Sequence, residues 1–459
     1  MNSSGTLDWD EWKAKTGVAI TPQFSMQRVN EPLLLYRGPI TLELDNGIKI
    51  PDATVTWEWY REPIILVSFE PSEAQLLKGD ATAIFNKPHK VTFDSLGAAT
   101  WFSMHEFFSC GEVHHQKLKL LRPVVTGPIG PAQMAMVHLV NCHDLSEDPV
   151  HTIDGGGAWH ARLSLSSTEW KILVDKVPHH DNLVREMNKF GGQAITHVVQ
   201  VSRHDSSDFD LDSLNKVLSH VRDFIAFASG SKPQMCLASG YSRDGRQVWQ
   251  AWEACASSHW SPRTTWTPDI GGQVSPAFSG YHTKLQDPDW SEVISLACDW
   301  YVKAKHRGLE AALVLGQAAL EMLASNTFEL TTVKPCTEQE WESKKWPAAS
   351  RIRWLLKLYG VMDQIPPKLE KLIAYRFPND TAFADGPHAL TELRNAIAHP
   401  KKKKRERFGP DVNELRYEAA KMVLFFLEHV LLRLIEFDGI ATAEATHGYL
   451  INYGPPIGT

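Results

Sequence analysis

The sequence predicts an α+β multidomain protein in which a β-rich N-terminal domain precedes an all-α helical bundle. Up to about residue 285, Gly, Pro, Asn and Asp separate short runs of β-branched and aromatic residues, as in strand-rich domains. From about Trp290, apolar residues recur with the 3.6-residue period of amphipathic helices. A chain of 459 residues also exceeds one ordinary hydrophobic core. We therefore predict a β-rich domain over 1–285, a helical bundle over 286–440 and an irregular tail over 441–459.

In the first domain, the strand predictions rest on alternating or continuous apolar runs bounded by turn-forming residues. The predicted strands cover 40–44, 53–57, 64–68, 136–140, 196–201 and 246–252. A helix is predicted over 210–228, where apolar residues recur at helical spacing. The pattern leaves open whether this region is one β-rich domain or two small ones.

In the second domain, three apolar stripes predict the principal helices. They lie within 309–324, 352–359 and 415–430. Pro366-Pro367 and Asp385-Gly386-Pro387 interrupt the pattern between helices. The sequence thus predicts four or five helices in an antiparallel bundle.

Composition favours a soluble, cytoplasmic protein. The net charge is −7, and the six cysteines include no Cys-x-x-Cys pair, which is typical of reduced thiols. The N-terminal residues lack the basic start and apolar stretch of a signal peptide. The most apolar stretch, 423–437, contains charged residues and is too short to span a bilayer. We therefore expect no membrane association.

The candidate site is the segment that begins at Arg394 and Asn395, continues to His399 and runs into a basic stretch. Asn395 and His399 are i and i+4 and share a helix face, while Arg394 lies about 140° from His399 around an ideal helix. Pro400 disfavours helical geometry at His399, which places this imidazole at the last turn. The basic residues suited to RNA phosphates follow directly: Lys401, Lys402, Lys403, Lys404 and Arg405.

These residue types suit the cleavage of RNA without a metal ion. A histidine acts as general acid or base near neutral pH, and an arginine neutralises phosphorane-like charge through a bidentate contact. Glu321, beside the first apolar stripe of the bundle, needs a partner for its carboxylate, either Arg394 or a backbone amide. We include it as a supporting residue of the site.

Arg394-Asn395-Ala396-Ile397-Ala398-His399 and the surrounding helical pattern resemble the HEPN superfamily, most closely its ApeA-like members with a β-rich N-terminal domain. The resemblance covers roughly residues 290–440. It implies a HEPN-like bundle, a homodimer or a higher oligomer formed through that bundle, and two motifs facing each other in a composite cleft. It further implies Arg394 and His399 as catalytic residues, with Asn395 orienting them. A role as a toxin or abortive-infection effector against phage, with a phage or cellular trigger sensed by the N-terminal domain, is also implied.

Other functions remain open from the sequence. The bundle is alternatively a catalytically inactive interaction or RNA-binding module whose β-rich domain binds a partner. A third reading is a β-rich domain that binds a carbohydrate or another ligand. No cofactor and no metal are expected, because the histidines of the first domain form no His-Glu-x-x-His motif.

Overall fold

The computed structural model describes residues 16–43, 48–59, 63–69, 88–110, 113–127, 130–152, 157–255, 260, 266, 273–377, 379–398, 412–442 and 450–452. The chain divides into two compact units. The β-rich unit comprises Met1–Arg222 and Pro233–Pro262, and the helical unit comprises Asp223–Lys232 and Arg263–Thr459. An α+β multidomain organisation is therefore confirmed. The helical unit begins earlier than residue 286, because the helix over Ser275–Gln286 also lies in it.

The first part of the β-rich unit is a closed barrel of six antiparallel strands within the described residues. Their order around the barrel is β2-β3-β4-β7-β6-β5. Alternate side chains point inward, as Ile40 and Leu42 do on β2. The strands are β2 (Leu33–Glu43), β3 (Ile48–Glu58), β4 (Ile64–Phe69), β5 (His89–Phe93), β6 (Ala98–Cys110) and β7 (Val113–Leu120).

The second part is a mostly antiparallel sheet, in which β9 pairs with β13 on one side and β14 on the other. The described strands follow the order β1-β10-β11-β12-β13-β9-β14-β15-β8. They are β1 (Gly17–Val18), β8 (Val124–Thr126), β9 (Met134–Val140), β10 (Asp148–His151), β11 (Ala158–Ser166), β12 (Trp170–Lys176), β13 (Ile195–Arg203), β14 (Gln234–Tyr241) and β15 (Gln247–Trp252). Helices α1 (His180–Phe190) and α2 (Leu211–Ser229) lie between its strands in the sequence. The first residues of α2 belong to the β-rich unit, and those from Asp223 belong to the helical unit.

A buried ion pair fixes the N-terminal segment to the sheet. Arg162 donates through Nε and Nη2 to both oxygens of Asp175, at 2.7 Å each. The same guanidinium donates to the carbonyl of Val18, and Asp175 accepts from the N–H of Ile20. Because the pair also bonds to backbone at the end of β1 and just after it, its charges are compensated within the protein.

The barrel and the sheet share one hydrophobic core. Trp252 of β15 lies 5.6 Å from Phe93 of the barrel between ring centroids, in an edge-to-face arrangement. Tyr36 of β2 also approaches Trp252, at 6.5 Å. The β-rich unit is therefore packed as a single body.

The helical unit is built around α5, whose buried residues include Leu313, Gly316, Leu320 and Leu323. A Cβ on Gly316 would lie 2.6 Å from Cγ2 of Val423, so glycine permits the close approach of α5 and α10. The helices are α3 (Ser275–Gln286), α4 (Ser291–His306), α5 (Leu309–Leu330), α6 (Glu338–Trp341), α7 (Ala348–Leu358), α8 (Glu370–Ala374), α9 (Gly386–Ala398) and α10 (Val412–Leu434).

The C-terminal residues differ from the expected irregular tail. Strands β16 (Ile440–Thr442) and β17 (Leu450–Asn452) pair in an antiparallel ladder. Across the described part of the chain, none of the helices has the length and apolar character needed to cross a membrane.

Candidate functional site

Helix α9 carries the first two residues of the predicted site, and its start is fixed by Asp385. One oxygen of this carboxylate accepts from the backbone N–H of His388 at 2.8 Å, which caps the helix. The other oxygen accepts from Nε of Arg353 on α7 at 2.5 Å. This hydrogen bond raises the pKa of Arg353. Asp385 therefore joins the N-terminus of α9 to α7.

Close packing also fixes the first turn of α9. A Cβ on Gly386 would lie 2.5 Å from Cζ of Phe426 on α10, and 3.1 Å from the carbonyl oxygen of Asp363. The Gly386 N–H donates to that carbonyl at 2.9 Å. Glycine at this position therefore permits the contact that sets the distance between α9 and α10.

Arg394 and Asn395 lie on α9 beside its buried face. That face includes Leu390, Leu393 and Ala396. Consecutive helical residues are about 100° apart, so Arg394 borders the buried face while Asn395 points further away from it. Both side chains are half-buried. The structure thus places the two residues on the helix that the sequence predicted.

The guanidinium of Arg394 has few partners. Its Nη1 donates to Oδ1 of Asn395 at 3.4 Å, a long hydrogen bond. Its Nε is buried and has no hydrogen-bond partner. Within the described ranges, no ion pair includes Arg394. A half-buried cation with an unmatched donor is able to bind an oxyanion.

Glu321 has a different partner from those considered in the sequence analysis. Its Oε1 accepts from Nε2 of Gln317, one helical turn earlier on α5, at 2.7 Å. Gln317 is buried, and its own Oε1 has no hydrogen-bond partner. No ion pair joins Glu321 to Arg394 in the described residues, and the i, i+4 amide of Gln317 is the donor to this carboxylate instead.

The rest of the predicted site lies outside the described residues. This applies to His399 and to the basic residues Lys401, Lys402, Lys403, Lys404 and Arg405. The described part of α9 ends at Ala398, immediately before His399.

Asp385 is the site residue that the sequence analysis missed. Asp385-Gly386-Pro387 was interpreted only as a break between helices. An aspartate just before a proline in the first turn is also an N-cap signal. That signal predicts the cap, whereas the contact with Arg353 depends on the packing of α7 against α9.

A second cluster of titratable residues lies at one end of the sheet. His180 and His197 are buried with their ring centroids 5.1 Å apart. Beside them, Nζ of Lys176 lies 3.1 Å from Oδ2 of Asp144. Burial lowers the pKa of both histidines, so both rings are neutral at pH 7. Among the residues that the structure describes, no group of three or more His, Cys, Asp or Glu side chains is arranged to hold a metal ion.

Comparison with protein families gives matches to both units. Residues 130–263 match the model of the YopA central domain, and residues 287–446 match that of the YopA C-terminal domain. Both matches are to YopA domains. The chain is also 23% identical over 442 residues to the SPbeta prophage-derived uncharacterized protein YopA of Bacillus subtilis (strain 168). That similarity covers 92% of this chain and 94% of the relative. No solved structure gives a significant match.

The YopA-like regions correspond to structural parts of the chain. The central-domain match spans strands β9–β15 of the sheet with helices α1 and α2, and the C-terminal match begins just before α4. Arg394, Asn395 and Glu321 all lie in the region similar to the YopA C-terminal domain.

Proposed function

We propose that the helical unit is a metal-independent endoribonuclease whose catalytic residues are Arg394, Asn395 and His399. The observation that carries the proposal is the state of Arg394. Its guanidinium is half-buried, has no acidic partner in the described residues and keeps a buried Nε without an acceptor. Arg203, Arg351 and Arg416 also have a buried Nε without an acceptor, but Arg203 stacks on Trp170 and the other two donate to the Trp341 carbonyl and the Glu310 carboxylate. Within the described residues Arg394 donates only to Asn395, and a guanidinium with so few protein partners keeps donors available for phosphate.

The chemistry uses the ribose 2′-OH as nucleophile. His399 accepts the proton of the 2′-OH as its oxygen attacks the adjacent phosphorus, and a protonated histidine donates to the departing 5′-oxygen. Arg394 stabilises the charge that develops on the phosphorane oxygens. Asn395, which accepts from Arg394, orients the guanidinium. The products are a 2′,3′-cyclic phosphate and a 5′-hydroxyl end.

The resemblance to HEPN ribonucleases supplies the assembly in this proposal. In that superfamily, two copies of the motif face each other, so the active species is a homodimer formed through the helical unit. The basic stretch 401–405 holds the RNA backbone through phosphate contacts that carry no sequence preference. Binding therefore weakens as salt concentration rises.

The β-rich unit has a regulatory role in this proposal. An active ribonuclease in a host cell requires control, and the barrel and sheet form a second body with its own core. The similarity to a prophage-derived protein supports a role in conflict between phage and host. We propose that the protein is a toxin or abortive-infection effector whose ribonuclease activity is switched on by a phage or cellular trigger.

A second candidate is a catalytically inactive RNA-binding or interaction protein. The hydrogen bond between Arg394 and Asn395 favours it, because a residue that only stabilises α9 also makes local contacts of this kind. In that case the basic stretch retains RNA affinity while the motif has no catalytic effect.

The deciding experiment measures cleavage of labelled single-stranded RNA in excess EDTA. Wild type is compared with Arg394→Ala, His399→Ala and the control Arg307→Ala, which removes an exposed arginine at the end of α4. We expect cleavage by wild type and Arg307→Ala only, with cyclic-phosphate ends. Equal cleavage in all four proteins rules out the assigned site. The four proteins are also purified from phage-infected cells, which supplies the proposed trigger. RNA binding without cleavage by any of these preparations supports the second candidate.

A further inference from the structure

Residues 17–26, the N-terminal strap, lie across the sheet of the β-rich unit. The strap begins with β1, which pairs in parallel with β10 through Gly17 opposite Val150. Among the described strands β1 ends the sheet, so the strap covers the outer edge of β10. An uncovered strand edge presents unpaired backbone groups, and extended peptides add to a sheet at such an edge. The strap therefore occupies a place that suits a peptide ligand.

Two buried side chains of the sheet bind the backbone of the strap near its start. Arg162 of β11 donates from Nη2 to the Val18 carbonyl at 2.8 Å. Asp175 of β12 accepts from the Ile20 N–H at 2.9 Å. Both side chains are buried, although each carries a charge. Contacts of this kind suit many sequences, because every residue except proline offers the same N–H and C=O groups.

Two further strands bind the second half of the strap. Nε2 of His138 on β9 accepts from the Phe24 N–H at 3.1 Å, and Ser239 on β14 donates to Oε1 of Gln23 at 2.6 Å. Both sheet residues are fully buried. Polar groups of four strands thus form a groove around the strap.

Two positions of the strap limit which sequences fit the groove. A Cβ on Gly17 would lie 2.0 Å from Nη1 of Arg162, and two hydrogen bonds to Asp175 hold that guanidinium in place. Met26 is fully buried in the core of the β-rich unit, and its sulfur accepts from the Ile195 N–H at 3.2 Å. A matching segment therefore has glycine at the first position and a long apolar side chain at the last.

The strap contributes little to the hydrophobic core. Within residues 17–26, all of which the structure describes, Met26 alone is buried, whereas β9 and β13 are buried at most positions. Segments with few buried apolar contacts open locally at a lower free energy than core strands do. We therefore expect the strap to open while the sheet stays folded.

We propose that the N-terminal strap is an exchangeable cover over a peptide-binding groove, whose ligand is an extended segment of a partner protein. The ligand pairs with the edge of β10, places glycine beside Arg162 and inserts an apolar side chain where Met26 lies. It displaces the strap because it forms the same backbone contacts with the sheet. The inference does not depend on the proposed ribonuclease activity.

Two variants of the full-length protein open the groove without changing it. Gly17→Val places side-chain atoms against Arg162, and Ile20→Pro removes the N–H that Asp175 accepts. The control Val18→Thr changes an exposed side chain and keeps the backbone contacts. In hydrogen exchange followed by mass spectrometry, strap amides should exchange at least about tenfold faster in the two variants than in the control. Peptides from β9 and β13 should stay protected in all of them.

The probe for the groove is a fluorescein-labelled synthetic peptide with the sequence of residues 16–28. Fluorescence anisotropy should show saturable binding to Gly17→Val and to Ile20→Pro. Wild type and Val18→Thr should bind the peptide roughly 100-fold more weakly, because the tethered strap competes at an effective concentration in the millimolar range. Peptides in which valine replaces the glycine, or alanine replaces the methionine, should bind the opened variants at least roughly tenfold more weakly than the parent peptide does.

Several outcomes overturn the proposal. Failure of the peptide to bind a variant whose strap exchanges rapidly shows that the groove is not a peptide site. A strap that stays protected in both variants, or global unfolding of both, shows that it is a fixed part of the fold. Light scattering at several protein concentrations tests a second copy as the occupant. A wild-type dimer that is lost in Gly17→Val assigns the groove to the strap of that copy rather than to a partner protein.

Discussion

The carboxylate of Asp385 connects two helices by using each oxygen for a different partner. Oδ2 accepts from Nε of Arg353 on α7 at 2.5 Å, and Oδ1 accepts from the N–H of His388 in the first turn of α9 at 2.8 Å. One side chain therefore sets where α9 begins and how it is held against α7. The position of Arg394, further along α9, depends on both contacts.

Asp385→Ala removes the helix cap and leaves the Arg353 guanidinium without its carboxylate. We expect the free energy of unfolding to fall by about 2–3 kcal/mol, because a lost cap costs about 1 kcal/mol and a partly buried unpaired charge adds to it. Asp385→Asn keeps an oxygen for the His388 N–H and should lose about half as much. Urea unfolding followed by circular dichroism measures both values. Equal losses in the two variants would show that the helix cap contributes nothing, because Asp385→Asn retains it.

Gly316→Ala should push α5 away from α10. The added Cβ would lie 2.6 Å from Cγ2 of Val423, closer than van der Waals contact allows. We expect a loss of about 1–3 kcal/mol in spite of the better helix propensity of alanine. Val423→Ala alone should cost about 2 kcal/mol through the cavity that it leaves.

The double variant Gly316→Ala/Val423→Ala tests the contact directly. The new methyl group occupies space that the valine vacates, so the combined loss should fall below the sum of the single losses by about 1 kcal/mol. Thermal and urea unfolding of the four proteins give the coupling energy. Additive losses would contradict the packing described for these helices.

His138 should make the β-rich unit sensitive to acid. The imidazole is fully buried, its Nε2 accepts from the N–H of Phe24 at 3.1 Å, and its Nδ1 donates to the carbonyl of Leu237 at 3.2 Å. Burial lowers the pKa of His138 from 6.5 to about 4. Because the folded pKa lies below the unfolded value, the neutral ring stabilises the fold above pH 6.5. That stability is lost as pH falls from 6.5 to 4, by about 3 kcal/mol in total.

The measurement compares free energies of unfolding at several pH values between 7 and 4 in wild type and His138→Asn. The variant should be less stable at pH 7 but should lose less stability on acidification. His179→Asn is the matched control, because His179 is exposed and its φ of 67° suits asparagine. Parallel pH profiles for wild type and His138→Asn would show that another group causes the acid sensitivity.

Local patterns in the sequence predicted individual elements well. The predicted strand 64–68 corresponds to Ile64–Phe69, and the predicted helix 210–228 corresponds to Leu211–Ser229. Closure of the barrel depends on pairing β2 with β5 and β4 with β7, which are distant in sequence and leave no local signal. Helix α3 was missed because it contains Pro276 and Gly280. A Cβ on Gly280 would lie against the Ile435 carbonyl oxygen, so this glycine reflects a long-range contact.

In the candidate site too, local features could be predicted from the sequence, whereas contacts set by packing could not. The helical positions of Arg394 and Asn395 were expected from the i, i+4 spacing of Asn395 and His399 and from the HEPN resemblance, whereas the location of Glu321 on α5 followed from periodicity. The partner of Glu321 did not, since Gln317 was not considered as a donor. The unmatched Nε of Arg394 depends on packing around α9, which the sequence alone does not reveal.

Substitutions of Arg394 and Asn395 separate a catalytic role from a structural one. Under the proposed function, Arg394→Ala should lower the cleavage rate in EDTA by about 10²–10³-fold, the range for loss of one donor to a developing oxyanion. Arg394→Lys keeps the charge but loses the planar bidentate donors, so its rate should fall between wild type and alanine. Asn395→Ala should cost about tenfold, because Asn395 only orients the guanidinium.

The stability of these variants decides the interpretation. Arg394 has no ion pair in the described part of the chain, and its one hydrogen bond, to Asn395, is long. The free energy of unfolding should therefore change by less than about 1 kcal/mol in Arg394→Ala. A purely structural arginine gives the reverse pattern, in which stability falls and any activity follows the folded fraction. Measuring rate and stability on the same preparations distinguishes the two, because only a catalytic arginine loses activity while the fold is retained.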